Sequence, residues 1–348
     1  MQRSNLKRWP FALPTLLSGT AILACALLLL VFACLATSAA QFPLKKHAPP
    51  KRPRILAIAG VTILVSDIEA AHRYYRTLID PDHTCEYCDN GSPTFLFLPS
   101  GQRIEFKKIP SPAPTDLLEE VSFLTDDLDA FAKYLHFHKI GYDEIKRQHT
   151  GDVFALQFDD PENHHISVTD SFHLARGDEF NAGLPSRDPS NTIRIIHAGF
   201  VVNSRELVNH FYVDLLGFRP YWHGGMKDDG KDDWVAMQVP DGTDWLEYML
   251  NIPPHADKHT LGVMNHISLG VPDVHTVANE LTAINVKAPE PPKIGRDGKW
   301  QLNLYDANDT RVEFMEFKPV QKPCCSDFTG SHPEPPSPQT APAMPQQP

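Results

Sequence analysis

"HISLGVPDVHTVANEL", residues 266–281, joins two patterns without a loop between them. From His266 to Val271 bulky and small side chains alternate, as in a strand with one packed face. Pro272 and Asp273 make a polar turn, and a helical pattern starts at Val274. Three other stretches share the plan: "GVTILVSDIEAAHRYYRTL" from Gly60, "EVSFLTDDLDAFAKYLHFH" from Glu120 and "HAGFVVNSRELVNHFYVDLLGF" from His197. The turns offer helix caps, since Ser66 with Glu69 and Asn203 with Glu206 both suit a capping box. In the third helix Leu207, Phe211 and Leu215 recur at four-residue spacing and make one apolar stripe.

Each stretch closes, after turn-separated strands, on "RIEFKKI", "HISVTD", "WLEYML" or "RVEFMEF". From the first residue of each to the position of the central Glu, the spans run 60 to 105, 120 to 167, 197 to 247 and 266 to 313. They measure 45, 47, 50 and 47 residues, and "MKDDGKDD" at 226–233 accounts for much of the extra length in the third. Four βαβββ units of one length predict an α+β fold. The units pair into two modules, residues 55–172 and 193–318, each with curved mixed sheets around a cavity. Residues 173–192 link the modules.

The alternation also says what faces each cavity. Ile267, Leu269 and Val271 pack under the helix, while His266, Ser268 and Gly270 face open space. His197 sits likewise, with Gly199 on its face. Glu247 and Glu313 lie mid-strand, where an unpaired buried charge is costly. A lone His or Glu on a strand is ordinarily solvent-facing or hydrogen-bonded. Four at matching positions suggest one site, because two neutral imidazoles and two carboxylates suit a divalent transition metal. The expected ligands are His197, Glu247, His266 and Glu313. The first two units carry Gly60, Glu105, Glu120 and Ser167 instead, so the N-terminal module is read as a structural half without a metal site of this type. Trp222, Trp234 and Trp300 either line the cavity or pack.

With these residues in place, the chain resembles the vicinal oxygen chelate superfamily across roughly residues 55–318. That group includes glyoxalase I, extradiol dioxygenases, methylmalonyl-CoA epimerase and fosfomycin- or bleomycin-resistance proteins. The resemblance implies a metal ion with open positions, binding two neighbouring oxygens of a small substrate and stabilising the oxyanion that develops. The metal would be nickel, cobalt, zinc or iron, one per chain. A His-Glu-His-Glu set resembles glyoxalase I and implies isomerase, lyase or epimerase chemistry, with Glu313 or Glu247 as the catalytic base. The alternative is an iron(II) extradiol dioxygenase on His197, His266 and Glu313, with Tyr305 the candidate second-shell tyrosine. The two-module length favours that option and Glu247 opposes it. A non-catalytic binding or resistance protein is the third class.

Composition sets the remaining bounds. The 348 residues suit two domains. A basic start (Arg3, Lys7, Arg8), the apolar run "AILACALLLLVFACLA" and Ser38-Ala39-Ala40 make residues 1–40 a secretory signal, or a retained membrane anchor through residues 11–36. The protein is therefore expected outside the cytoplasm. Taking Arg3, Lys7 and Arg8 from the 32 basic residues leaves 29 against 43 acidic, a net −14. Such a charge offers no general attraction to nucleic acid. Residues 41–54 read as a linker and 319–348 as a Pro-rich disordered tail. For Cys85, Cys88, Cys324 and Cys325, disulfides outweigh a four-cysteine zinc knuckle in an exported chain.

Overall fold

A computed structural model describes residues 49–81, 91–146, 151–170 and 193–335. The signal or anchor, the Cys85–Cys88 pair, the linker at 173–192 and the end of the tail lie outside those residues. All elements below belong to one compact unit that begins at Pro50. No helix among the described residues is long and apolar enough to cross a membrane.

The first module opens with β1 (Ala57–Val65), α1 (Ile68–Ile79), β2 (Phe95–Phe97) and β3 (Arg103–Lys108). It continues with β4 (Leu118–Leu124), α2 (Leu128–Phe137), β5 (Asp143–Lys146), β6 (Val153–Asp159) and β7 (His165–Thr169). The second module begins with β8 (Arg194–Val201), α3 (Arg205–Asn209), β9 (Arg219–Gly224), β10 (Trp234–Gln238) and β11 (Trp245–Met249). After α4 (Lys258–Met264) come β12 (His266–Val271), α5 (Val274–Ala283), β13 (Lys293–Ile294), β14 (Trp300–Tyr305) and β15 (Arg311–Glu316).

The two curled mixed sheets share one layout. Strands run β5-β6-β7-β4-β1-β3-β2 in the first and β13-β14-β15-β12-β8-β11-β10-β9 in the second. At the centre of each, two antiparallel strands meet, β1 with β4 and β8 with β12. Each then pairs in parallel with the last strand of its own unit, as β8 does with β11 and β12 with β15. Central strands have both faces covered, so β12 is buried at every residue.

Ile267, Leu269 and Val271 point into one large core that also takes Phe123, Phe200 and Phe314 from the two sheets and Phe131 from α2. The modules are further tied by two tyrosines. The Tyr75 hydroxyl donates to Asp306 at 3.2 Å, and that of Tyr212 donates to Asp160 at 3.1 Å.

Local chemistry departs from the sequence reading at three places. Asp67 caps α1 by accepting from the Ala70 N–H at 2.9 Å, while Ser66 donates to Asn308 instead. Ser204 caps α3, and the expected cap Asn203 donates to Glu162. Beyond α3 the chain widens into a π-type turn from His210 to Leu215. The wider turn rotates the inward face onto Val208, Phe211 and Tyr212 and leaves Leu207 45% exposed.

The tail departs as well: it does not become disordered at 319 but packs along the second module as far as residue 335. Thr329 donates through its N–H to the Tyr221 carbonyl at 3.0 Å, and Gln238 donates to the Ser331 carbonyl at 2.8 Å. Aromatic contact supplies the rest, with the rings of Phe328 and Tyr221 4.8 Å apart. Cys324 and Cys325 are bonded to each other. They therefore offer no thiolates for a zinc knuckle, although Asp228 lies close to both.

Candidate metal centre

Sheet register decides which side chains meet. Across the second sheet, Trp245, His197 and Ser268 stand in one row, with Glu313 opposite Ser268 and Asn303 opposite Glu313. The next row holds Ala236, Glu247, Gly199 and His266. Paired residues share a face, so both imidazoles and both carboxylates project to the concave side. Gly199 makes the second row possible. A Cβ there would lie 2.1 Å from His266 Cε1, so only glycine lets that ring lie across β8.

The four side chains converge. His197 Nε2 is 3.1 Å from His266 Nε2, 3.3 Å from Glu313 Oε2 and 3.9 Å from Glu247 Oε2. His266 Nε2 is 3.4 Å from Glu247 Oε2. The ligand atoms of His197, Glu247 and His266 all lie within 4.8 Å of one another, and Glu313 joins through His197. Both histidines are fully buried and Glu313 nearly so.

Tautomers follow from the neighbours. Arg311 Nη2, which can only donate, lies 2.6 Å from His266 Nε2, so that nitrogen presents its lone pair. His266 Nδ1–H then donates to the Met264 carbonyl at 2.9 Å, the backbone support usual for a metal-ligating imidazole.

Burial lowers the His266 pKa and keeps the ring neutral; the Arg311 charge acts in the same direction. Burial alone would raise Glu313. The hydrogen bond from His197 and the charge of Arg311 outweigh it and hold the carboxyl down at about 2. The Glu247 pKa is lowered as well, against its burial, by the two imidazoles beside it.

This donor set fits a metal ion. Neighbouring atoms at 3.1, 3.3 and 3.4 Å are spaced as ligands about 2.1 Å from a shared centre would be. His197 Nδ1 is buried with no hydrogen-bond partner among the described residues. Two carboxylates this close to two imidazoles favour a cation, and Arg311 supplies one positive charge beside them.

Beside the cluster lies a cavity of about 290 Å³. Glu247, Glu313 and Arg311 line it, with Trp222, Trp234 and Met315 as apolar walls and Asp297 in a loop opposite. Trp300 packs instead edge-on against His275. Tyr305 lies 5.5 Å from the His259 ring and is not among the residues lining this cavity. Asn303 is the residue directly opposite Glu313.

Several neighbours are invisible to motif reading. The Trp245 ring lies 4.7 Å from that of His197. Behind it the fully buried Lys299 places Nζ 4.4 Å from the Trp245 ring centre, 5.4 Å from Tyr221 and 5.3 Å from Phe328. Burial lowers its pKa to about 8, opposed by Asp297, Glu313 and Glu247. Trp245 and Arg311 do stand two residues before Glu247 and Glu313, the alternation that puts a side chain on the same face. Lys299 and Asp297 carry no such signal.

The comparisons with known proteins agree with this architecture. Residues 194–321 match the model of the Glyoxalase/Bleomycin resistance protein/Dioxygenase superfamily. None of the curated proteins compared is similar in sequence. Among solved structures, a variant of homoprotocatechuate 2,3-dioxygenase from B. fuscum in complex with HPCA is similar at 15% identity and TM-score 0.56, covering 82% of this chain and 75% of that one. The anaerobic complex of the Brevibacterium fuscum enzyme with 3,4-dihydroxyphenylacetate gives 16% identity and TM-score 0.55, covering 82% and 85%. At such identity the likeness is one of fold. The chain folds as two vicinal-oxygen-chelate modules, and its C-terminal module belongs to the glyoxalase/bleomycin resistance protein/dioxygenase superfamily.

Proposed function

We propose that the C-terminal cup binds one divalent metal ion through His197, His266 and Glu313 and opens the ring of a small aromatic diol, with Glu247 as the proton-transfer group beside it. The observation that carries the reading is the convergence of two imidazoles and two carboxylates at the edge of an aromatic-walled cavity. Two imidazoles with one carboxylate make the set that leaves an iron(II) ion positions for both diol oxygens and for dioxygen. The two-module fold, similar to that of a 2,3-dioxygenase, supports this choice over single-module chemistry.

The chain's own residues prepare the substrate. Trp222 and Trp234 present apolar surface to a flat ring. Arg311 lines the same cavity, so its positive charge favours a substrate oxygen as that oxygen becomes anionic. Glu247 is held ionised, as a group that accepts a diol proton must be.

Isomerase or epimerase chemistry of the glyoxalase kind is the second reading. It is favoured by Glu247, whose carboxylate is close enough to His266 to be a fourth ligand.

The test is direct. Anaerobically iron(II)-loaded protein is mixed with a panel of catechols that includes 3,4-dihydroxyphenylacetate, and air is admitted. Ring-cleavage colour with matching oxygen uptake is expected. Silence across the panel, with turnover of a 2-oxoaldehyde–thiol adduct by the nickel- or zinc-loaded form, would replace the dioxygenase reading with the isomerase one.

A further inference from the structure

The N-terminal module has a cup of its own, and its concave face is polar. The first row places Arg103, Gly60, Ser122, Ser167 and Gln157 side by side, and the second places Glu105, Thr62 and Glu120. Thr62, Arg103, Glu120, Ser122 and Ser167 are all buried. A purely structural half would fill such space with apolar side chains.

Arg103 is the outlier among them. It is only 6% exposed, yet its Nε and Nη1 find no hydrogen-bond partner among the described residues. A buried unpaired guanidinium is strongly disfavoured unless opposite charge surrounds it. Burial pulls its pKa down, and the carboxylates of Glu120 and Glu105 act against that pull. Glu120 itself is held by Ser167 and Gln157, each donating at 2.6 Å, and Glu105 accepts from Thr62 at 3.4 Å.

Register gives the position its meaning. Gly60 stands where the other module has His197, and Arg103 stands where it has Trp245. The arginine leans across the vacancy left by the missing imidazole. A Cβ at Gly60 would lie 2.7 Å from Arg103 Cγ and 2.5 Å from its carbonyl oxygen.

We infer that the Arg103 guanidinium is a built-in cation that takes the place of a metal ion in the N-terminal cup and decides which of the two cups is loaded. Glu105 and Glu120 would otherwise attract a divalent ion, as Glu247 and Glu313 do in the reading above. A fixed charge on β3 offsets one of their two negative charges and offers no open coordination position. The inference uses the proposed C-terminal site only for the total count of ions, since the role of Arg103 is read from a change in that count.

The probe is manganese(II), which carboxylates and imidazoles accept and which thiolates do not select. The full chain is equilibrated with it, desalted and analysed for metal. Wild type should hold one ion per chain. Ser167→Glu, which supplies a third carboxylate but keeps Arg103, should also hold one. Arg103→Met with Ser167→Glu should hold two, and methionine keeps the apolar stem while removing the charged head. Two ions in wild type or in Ser167→Glu would overturn the inference, as would a folded double variant that gains none. If the double variant does not fold, His266→Ala is titrated to millimolar manganese, where any stoichiometric ion overturns it. A wild-type count of zero that rises to one in the double variant supports Arg103 while removing the C-terminal site.

Discussion

Gly199 and His266 occupy directly paired positions on β8 and β12, and the histidine ring lies where a side chain on residue 199 would have to be. The absence of a Cβ on one strand is therefore what orients an imidazole on the other. Gly199→Ala is expected to push the ring out of line, costing about 1–3 kcal/mol of stability, as overpacking does. Thermal melts and metal titration on one preparation check it, and unchanged metal affinity would show that the ring has another place to go.

The four convergent side chains should be unequal. His197→Ala and His266→Ala each remove a nitrogen donor from the middle of the cluster and should abolish stoichiometric metal. Glu247→Gln keeps an oxygen donor and should weaken retention by roughly 10–100-fold, the scale of a perturbed metal shell. Elemental analysis after graded chelator washes ranks them. Retention of a full equivalent by His266→Ala would place the ion elsewhere.

Lys299 makes stability depend on pH in alkali. Its folded pKa of about 8 lies below the unfolded value near 10.4, so the unfolded chain binds the extra proton between those limits. Stability of the metal-free protein should therefore rise as pH goes from 8 to 10, by an amount on the order of 3 kcal/mol. Lys299→Met should flatten that rise and raise stability at neutral pH. Denaturant melts across the range decide it, and a slope that survives the substitution would assign it to another group.

Helix caps offer a test free of the metal. Ser204→Ala removes the oxygen that accepts from the Leu207 N–H and should cost about 1 kcal/mol. Asn203→Ala loses only an exposed contact with Glu162 and should cost less. Equal losses would mean that the sequence-based cap, one residue earlier, is the working one.

The capping error shows where sequence reading stops. Spacing alone places a capping box at both Ser66-Glu69 and Asn203-Glu206. Spacing cannot tell which of two adjacent polar residues turns its oxygen toward the helix, and Ser66 and Asn203 were claimed by Asn308 and Glu162, far away in the chain. The stripe through Leu207 failed for a related reason. A π-type turn shifts the helical phase, and no local residue announces it.

What the sequence determined by itself was the layout: strand period, unit length and hence the two-module fold. It also identified the four cluster residues, because a period of two fixes which face a side chain takes once the strand is known. Only the tertiary structure decided what surrounds them. Lys299 caged by Trp245, Tyr221 and Phe328, Arg311 against His266, and a C-terminal strap that packs where a free tail was expected all depend on segments far apart in the chain. Local pattern carries no distance between such segments. Those distances are set by sheet register and curl, which come from the whole core packing at once.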